Sequence, residues 1–397
     1  MPDVVVVGGG IIGTSCAHEL ARRGASVTLL EKDGIAKDGI AAGASGRNLG
    51  YLDTSKDPVL APLARRTLDR YLEIAAESPV PFFIDQKAIG TLAVTLDEDE
   101  VDDLRGWAEA AAAVGVTAER VEPADVRRIE PEVAPNVIEA YVLDEGHRVD
   151  PAALTGAFAA LAAKSGADVR HHLAARRLIE RSGRVTGVVT DDGVVEADVV
   201  VLAAGPWSAA IARPLGVTLR VAGARGWLVH SAPGRKLVRR WIQSGARRLL
   251  HGHRSRSDPD LVVSMREFGE GLRSHDVSPM IQPAPDGSIL AGTSREPSLA
   301  ADSYDLDVAR MVAGEAVRLI PTLADAPVIA TWSGVRPVSP DERPLIGRVM
   351  EGLVVSTGHG SEGVILGGAS AELTAAIVLG EKPPVEPAPF DSLRFER

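Results

Sequence analysis

Val4-Val5-Val6-Val7-Gly8-Gly9-Gly10-Ile11-Ile12-Gly13 stands near the start of the chain, and Glu31 follows eighteen residues after Gly13. The β-branched run has the composition of a strand buried on both faces. Helical spacing continues from Ile11 to Arg23 with Gly24 as its stop, and Val27 to Leu30 is a second strand. The three segments form one βαβ unit. Gly8-x-Gly10-x-x-Gly13 sits at its strand-to-helix turn, where each glycine has a separate use. Gly8 permits the turn, Gly10 lets backbone approach a pyrophosphate, and Gly13 lets helix and strand pack closely. The helix N-terminus presents N–H groups and a positive dipole end to an anion. Glu31 can accept hydrogen bonds from ribose hydroxyls. The motif predicts dinucleotide binding through Gly8, Gly10, Ile11, Ile12, Gly13 and Glu31, with Lys32 and Arg176 as further candidates.

The rest of the composition narrows the class. A chain of 397 residues leaves room for two to three domains. Hydrophobic residues at 45% and charged residues at 24% exclude a disordered chain. A net charge of -11 argues against nucleic acid as a partner. Arg235, Lys236, Arg239, Arg240, Arg247 and Arg248 form one basic cluster, read as a solvated face. The single cysteine, Cys16, excludes intramolecular disulfides and Cys-based zinc sites, and reads as an inert packing residue. His251 and His253 lack carboxylates at ligand spacing, so no metal is expected. No apolar run reaches about 18 residues, and the apolar N-terminus carries no basic leader. The expectation is a soluble, cytoplasmic protein with no integral membrane segment; homo-oligomer formation stays open.

Further elements follow from local pattern. A helix runs from Leu60 to Ala75, and Asp97 with Glu100 caps another through Trp107. Asp150-Pro151 starts a third that Gly166 ends. Turns at Ser182-Gly183 and Asp192-Gly193 separate hairpin strands, and Ala197 to Ala203 joins the sheet of the first strand. Residues 220–300 read as a separate antiparallel sheet. A helix to Ile320, a loop with Gly334 and Pro337, and a strand from Leu353 to Ser356 come next. Gly358-His359-Gly360 leads into a final helix ending near Gly380, and the Pro-rich tail after Lys382 is read as loosely packed.

An NAD-linked dehydrogenase completes its nucleotide domain within about 150 residues. This chain leaves that domain and returns to it twice. Asp198 to Trp207 resembles the returning strand of flavin enzymes. Trp332-Ser333-Gly334-Val335-Arg336-Pro337, Pro340-Asp341, Pro344-x-Ile346-Gly347 and Gly358-His359-Gly360 then follow in order. Together these segments resemble the D-amino-acid oxidase superfamily in its glycine oxidase and sarcosine oxidase branch, over most of the chain. Gly43-Ala44-Ser45-Gly46-Arg47-Asn48-Leu49-Gly50 resembles the flavin-contacting loop of that family, while residues 235–280 are not matched.

The resemblance implies an α/β fold: a Rossmann-like FAD-binding domain with a discontinuous α+β substrate domain built on an antiparallel sheet. The FAD-binding part would comprise 1–80, 145–220 and 325–397, and the substrate part 81–144 and 221–324. FAD would be contacted by Ser45, Gly46, Arg47, Asn48 and Leu49, by Ala204, Gly205 and Trp207, by Gly334 and Arg336, and by Gly360, Ser361, Glu362, Gly363 and Val364. A helix N-terminus at 360–364 suits the negative charge that a reduced flavin carries. Arg336 stands where the family places the arginine that grips a substrate carboxylate, and a planar guanidinium suits that task. The alternative use of Arg336 is an ion pair with Asp341 or Glu342. Tyr51 and His359 are further catalytic candidates, and Tyr51 and Met280 substrate-pocket candidates. Met280 falls near the family's carboxylate-facing tyrosine, and Ser361 replaces a second family arginine. Sarcosine oxidases attach their flavin through a cysteine that would fall near Gly334; with none here, FAD is expected to be non-covalent.

These residues point to oxidation of the CH–NH bond of an amino acid or carboxylated amine, with oxygen or another acceptor as the final oxidant. Two alternatives stay open at this level: an FAD-dependent 2-hydroxy-acid dehydrogenase, and a flavoprotein subunit of a larger amine-oxidising complex.

Overall fold

The first strand, Asp3–Val7, lies at the centre of a six-stranded sheet, and Val4 to Val7 are each at most 4% exposed. The computed structural model describes residues 1–34, 41–244, 248–249, 276–299 and 306–396. Ser26–Leu30 and Val199–Leu202 pair with the first strand on either side, both parallel, with Val5 opposite Thr28 and Val200. Asp168–Arg170 extends the sheet at one edge. At the other, Leu353–Thr357 is parallel and Leu345–Met350 antiparallel. Strands so apolar need cover on both faces. One cover is helical: Ile11–Arg22, Pro151–Lys164 and Gly363–Leu379 bring Ala17, Leu20, Ala162 and Ala375 against Val4, Val6 and Val201. The other is a three-stranded antiparallel sheet, residues 175–196, which brings Leu178, Val185 and Val188 against Val5, Val7 and Val200.

A second sheet orders Val328–Val338, Ala222–Ser231, Ile289–Pro297, Asp276–Pro283, Trp241–Ser244, Thr91–Thr95, Glu139–Leu143 and Ala118–Arg120. It is antiparallel except where Trp241–Ser244 runs parallel to Thr91–Thr95. The antiparallel sheet read in residues 220–300 is thus one part of a wider sheet. A buried ion pair joins its second and third strands: Arg225 Nε donates to Glu296 Oε1 at 2.7 Å, and Trp227 Nε1 donates to the same oxygen at 2.9 Å. Helix Leu306–Leu319 covers this region through Val308, Ala309 and Val312.

Local structure departs from the sequence reading at four places. Residues around Gly334 and Pro337 form a strand rather than a loop, because Val328–Val338 pairs along its length with Ala222–Ser231. Pro337 is tolerated because this strand lies at the sheet edge. The Asp97–Glu100 cap does not form: Asp97 pairs with Arg318 at 2.8 Å, and Glu100 Oε2 accepts from Thr95 Oγ1 at 2.8 Å. The tail is not loose, since Phe390 and Ser392 are buried and Arg394 grips Asp341. Finally, Gly360–Leu379 is long and apolar enough to cross a membrane, which the run-length expectation missed; most of it is buried inside the protein. His251, His253 and Arg247 lie outside the described residues. Arg235 of the basic cluster pairs with Glu132.

Candidate active site

A cavity of about 750 Å³ opens where the two sheets meet, at the C-terminal ends of the first, second and Val199–Leu202 strands. Ligands of open α/β sheets bind at such strand ends. The glycine motif builds its floor. Gly8 has a φ of +111°, and a Cβ there would stand 2.4 Å from Ala203 O. A Cβ on Gly13 would stand 1.8 Å from Gly8 O, so the helix can approach the turn only with glycine at 13, while glycine at 8 lets the turn lie against Ala203. Gly10 has no side chain to cap the first helix, leaving its N-terminus open toward the cavity. The loop at 41–50 closes over it: Ser45 Oγ accepts from Ile11 N at 2.9 Å.

Glu31 directly follows the second strand. Its Oε2 accepts from Gly9 N at 2.6 Å and its Oε1 from Asp33 N at 2.8 Å. Each carboxylate oxygen has a second lone pair, so the same group can brace the turn and accept from a hydroxyl. Lys32 lies 5.4 Å over the Trp207 ring, and both line the cavity with Ala174, Arg176 and Ile211. Arg176 is bidentate on Asp191 at 2.7 Å. At the opposite end Arg47, Asn48, Leu299, Arg336, Pro337, His359 and Ser361 form the wall. Thr357 Oγ1 donates to Gly205 O at 2.9 Å, tying the two loops that flank the cavity.

Arg336 reaches this wall from strand Val328–Val338. Its Nη1 donates to Ser294 O at 3.1 Å and its Nη2 to Thr293 Oγ1 at 2.6 Å. Asp341 is held by Arg394, and Glu342 pairs with Arg295 at 2.6 Å. His359 is 1% exposed; its Nε2 meets Ser370 Oγ at 3.0 Å, and its Nδ1 has no hydrogen-bond partner among the described residues. Burial holds its pKa down to about 3, so the ring is uncharged at neutral pH. The last helix begins at Gly363, and Gly363 and Val364 place its N-terminus on the cavity.

A family model described as FAD dependent oxidoreductase matches residues 3–377. The chain belongs to this FAD-dependent oxidoreductase family. The flavoprotein is similar to the glycine oxidase of Pseudomonas putida, at 28% identity over 98% of this chain and 97% of that one. Its fold superposes on the crystal structure of glycine oxidase from Geobacillus kaustophilus with a TM-score of 0.83, at 23% identity over 99% of this chain and 98% of that one. Glycine oxidase from Bacillus cereus gives 0.80 at 26% identity, with 96% of each chain covered. The geometry fits FAD: a glycine turn too close for a Cβ at Gly8 and Gly13, two helix N-termini facing one cavity, and a carboxylate just after the second strand.

In this FAD-dependent oxidoreductase the named residues separate by place. Gly8, Gly10, Ile11, Ile12, Glu31, Lys32, Ser45, Arg47, Asn48, Arg176, Ala204, Gly205, Trp207, Arg336, His359, Gly360, Ser361, Gly363 and Val364 line the cavity. Gly13, Gly46 and Gly334 stand behind it: a Cβ on Gly46 would lie 2.4 Å from Ala41 O, closer than packing allows, and one on Gly334 would make a tight contact of 3.0 Å with Arg47 O. Asn48 shapes its own loop, donating to Ala44 O and Ser45 O and accepting from Gly50 N. Leu49, Tyr51 and Met280 lie off the cavity wall, in a cluster with Leu228 and Trp241. Tyr51 meets Thr91 Oγ1 at 3.0 Å and packs edge-on against Trp241. Leu299, Ile211 and Thr357 were not foreseen; their only local signal is position after a strand or turn, since single apolar residues and threonines carry no motif.

Glu362 also stands off the wall. Burial pushes its carboxyl from the ordinary 4.5 to about 7; a Ser55 hydrogen bond opposes the rise, and the charges of Asp53, Asp57 and Glu342 add to it. The folded state therefore holds this proton more tightly than the unfolded chain does. The stability it contributes is complete below pH 4.5 and is lost as pH rises through about 7. Glu362→Gln removes that loss. Its melting temperature is expected to exceed that of the wild type at about pH 8 and to converge with it near about pH 5; a constant difference across this range, measured by differential scanning fluorimetry, contradicts the assignment.

Proposed function

We propose that this FAD-dependent oxidoreductase oxidises the CH–NH bond of an amino acid, or of another amine that bears a carboxylate, to an imine. The observation that carries the reading is Arg336, a guanidinium on the wall of the same cavity that the glycine turns open to FAD. The chemistry that FAD supplies when bound is acceptance of a hydride at N5. The residues around it have the remaining tasks. Arg336 pairs with the substrate carboxylate through parallel N–H···O bonds, which orients the α-carbon. No side-chain base is needed where the amine enters neutral. His359 adds no positive charge to the wall, so the cations at that end are Arg336 and Arg47. The helix N-termini at Gly10 and Gly363 offer fixed dipoles to the diphosphate and to the flavin end respectively.

The relatives named glycine oxidase support an amine substrate over a 2-hydroxy acid. The sole cysteine, Cys16, is fully buried, and burial pushes its thiol up to about 12, which supports non-covalent FAD. We assign residues 1–80, 145–220 and 325–397 to FAD binding and 81–144 with 221–324 to the substrate side, with the exception of strand Val328–Val338, which pairs with Ala222–Ser231 and so belongs to the substrate-side sheet. Oxygen or another acceptor completes the cycle, and a single thiol in a reduced state suits a cytoplasmic setting.

The test is anaerobic mixing of purified yellow enzyme with matched panels of amino acids, N-methyl amino acids and 2-hydroxy acids. The flavin absorbance is expected to bleach with members of the amine panels and to persist with their hydroxy counterparts. Bleaching by hydroxy acids alone overturns the proposal, and bleaching by no small molecule points to a partner-dependent subunit.

A further inference from the structure

We propose that Gly226 and Thr293 are positioning residues for Arg336 and thereby set the selectivity for carboxylated amines. The inference rests on the carboxylate-anchor reading of Arg336 and adds how the fold holds that anchor. Strands Ala222–Ser231 and Val328–Val338 are antiparallel, with Ala224 opposite Arg336 and Gly226 opposite Gly334. Gly226 is therefore the diagonal neighbour of Arg336 on one face of the sheet, within reach of a long side chain. A Cβ on Gly226 would lie 2.2 Å from Arg336 Nη1, 2.7 Å from Nη2 and 2.5 Å from Ser294 O. Gly226 is not among the glycines of positive φ, so its backbone conformation does not demand glycine. The space does. The absent side chain is the berth in which the guanidinium lies.

The third strand supplies the other half. Arg225 faces Glu296 and Leu228 faces Gly292, so two residues of one strand oppose three of the other. A bulge of this kind turns backbone and side-chain groups away from the regular ladder. Here it brings Ser294 O and Thr293 Oγ1 to Arg336. Thr293 Oγ1 donates its own hydrogen to Ser294 O at 3.2 Å, which leaves the oxygen to accept from Nη2. Two acceptors at neighbouring nitrogens fix the rotation of the guanidinium plane, so less freedom is lost when a carboxylate pairs with it.

The test uses FAD-loaded enzyme and two readouts. Acetate, as a plain carboxylate probe, is titrated against the flavin difference spectrum, and KM and kcat are measured for the best carboxylated amine. Thr293→Val keeps the shape and removes the acceptor; it is expected to weaken acetate binding and raise KM about tenfold, with a smaller change in kcat. Thr293→Ser is expected to restore both. Gly226→Ala is expected to weaken binding about a hundredfold, because the guanidinium must leave its berth. In an Arg336→Leu background neither change is expected to weaken acetate further. Wild-type acetate binding by Thr293→Val and Gly226→Ala, with binding lost in Arg336→Leu, overturns the positioning role and leaves the anchor intact. An effect of Thr293→Val that persists without Arg336 also overturns it. Wild-type acetate binding by Arg336→Leu overturns the anchor reading, and this inference with it.

Discussion

Gly13→Ala is expected to yield protein that no longer retains FAD through gel filtration. A Cβ at this position would lie 1.8 Å from Gly8 O, inside the turn that opens on the cavity. The contact is backbone, so it cannot be relieved by a rotamer change. Helix and strand must separate, at a cost of about 3 kcal/mol by comparison with overpacked cores. The same displacement withdraws the helix N-terminus from its ligand, and about 3 kcal/mol corresponds to roughly a hundredfold loss in FAD affinity. The flavin-to-protein absorbance ratio and a fluorescence titration with FAD measure this directly. Gly106→Ala is the control: nothing lies within 4 Å of its Cβ, and it sits inside helix Val101–Ala113, where alanine is the better residue. Wild-type flavin content in Gly13→Ala would show that the close approach is not required.

Arg336→Leu carries the largest expected effect on catalysis. Loss of a guanidinium paired with a carboxylate in a partly closed site costs about 3 kcal/mol, or roughly a hundredfold in KM, for substrates bearing a carboxylate. Bound FAD should be unaffected, because the glycine turns and Glu31 belong to other elements. Arg336→Lys is expected to recover only part of the loss, since an ammonium does not offer the parallel donors of a guanidinium. Steady-state kinetics on carboxylated amines and on their amides separate the roles: the amides should be nearly insensitive to the substitution. An unchanged KM for the carboxylated substrates removes Arg336 from substrate binding.

The local patterns were legible where one short segment suffices. The valine run, the three glycines, the acid following the second strand, and the Asp150-Pro151 helix start all act within their own neighbourhoods; the Asp150 side chain accepts from Ala152 N and Ala153 N. Reading failed where a distant partner decided the outcome. Trp332 to Pro337 has the glycine and proline of a loop, but a whole strand waits to pair with it. Asp97 has the form of a cap, but Arg318 competes for its carboxylate. Gly226 carried no motif at all, because its meaning lies in a side chain from a neighbouring strand.

Residue order alone established the βαβ unit, the dinucleotide turn and the flavoenzyme resemblance, because those depend on spacings of a few residues and on glycine's lack of a Cβ. Tertiary structure alone decided which loops share one cavity, that Tyr51 and Met280 stand off its wall, and where the guanidinium of Arg336 rests. Those are distances between residues far apart in the chain, set by sheet register and by a single bulge, and no local spacing encodes them.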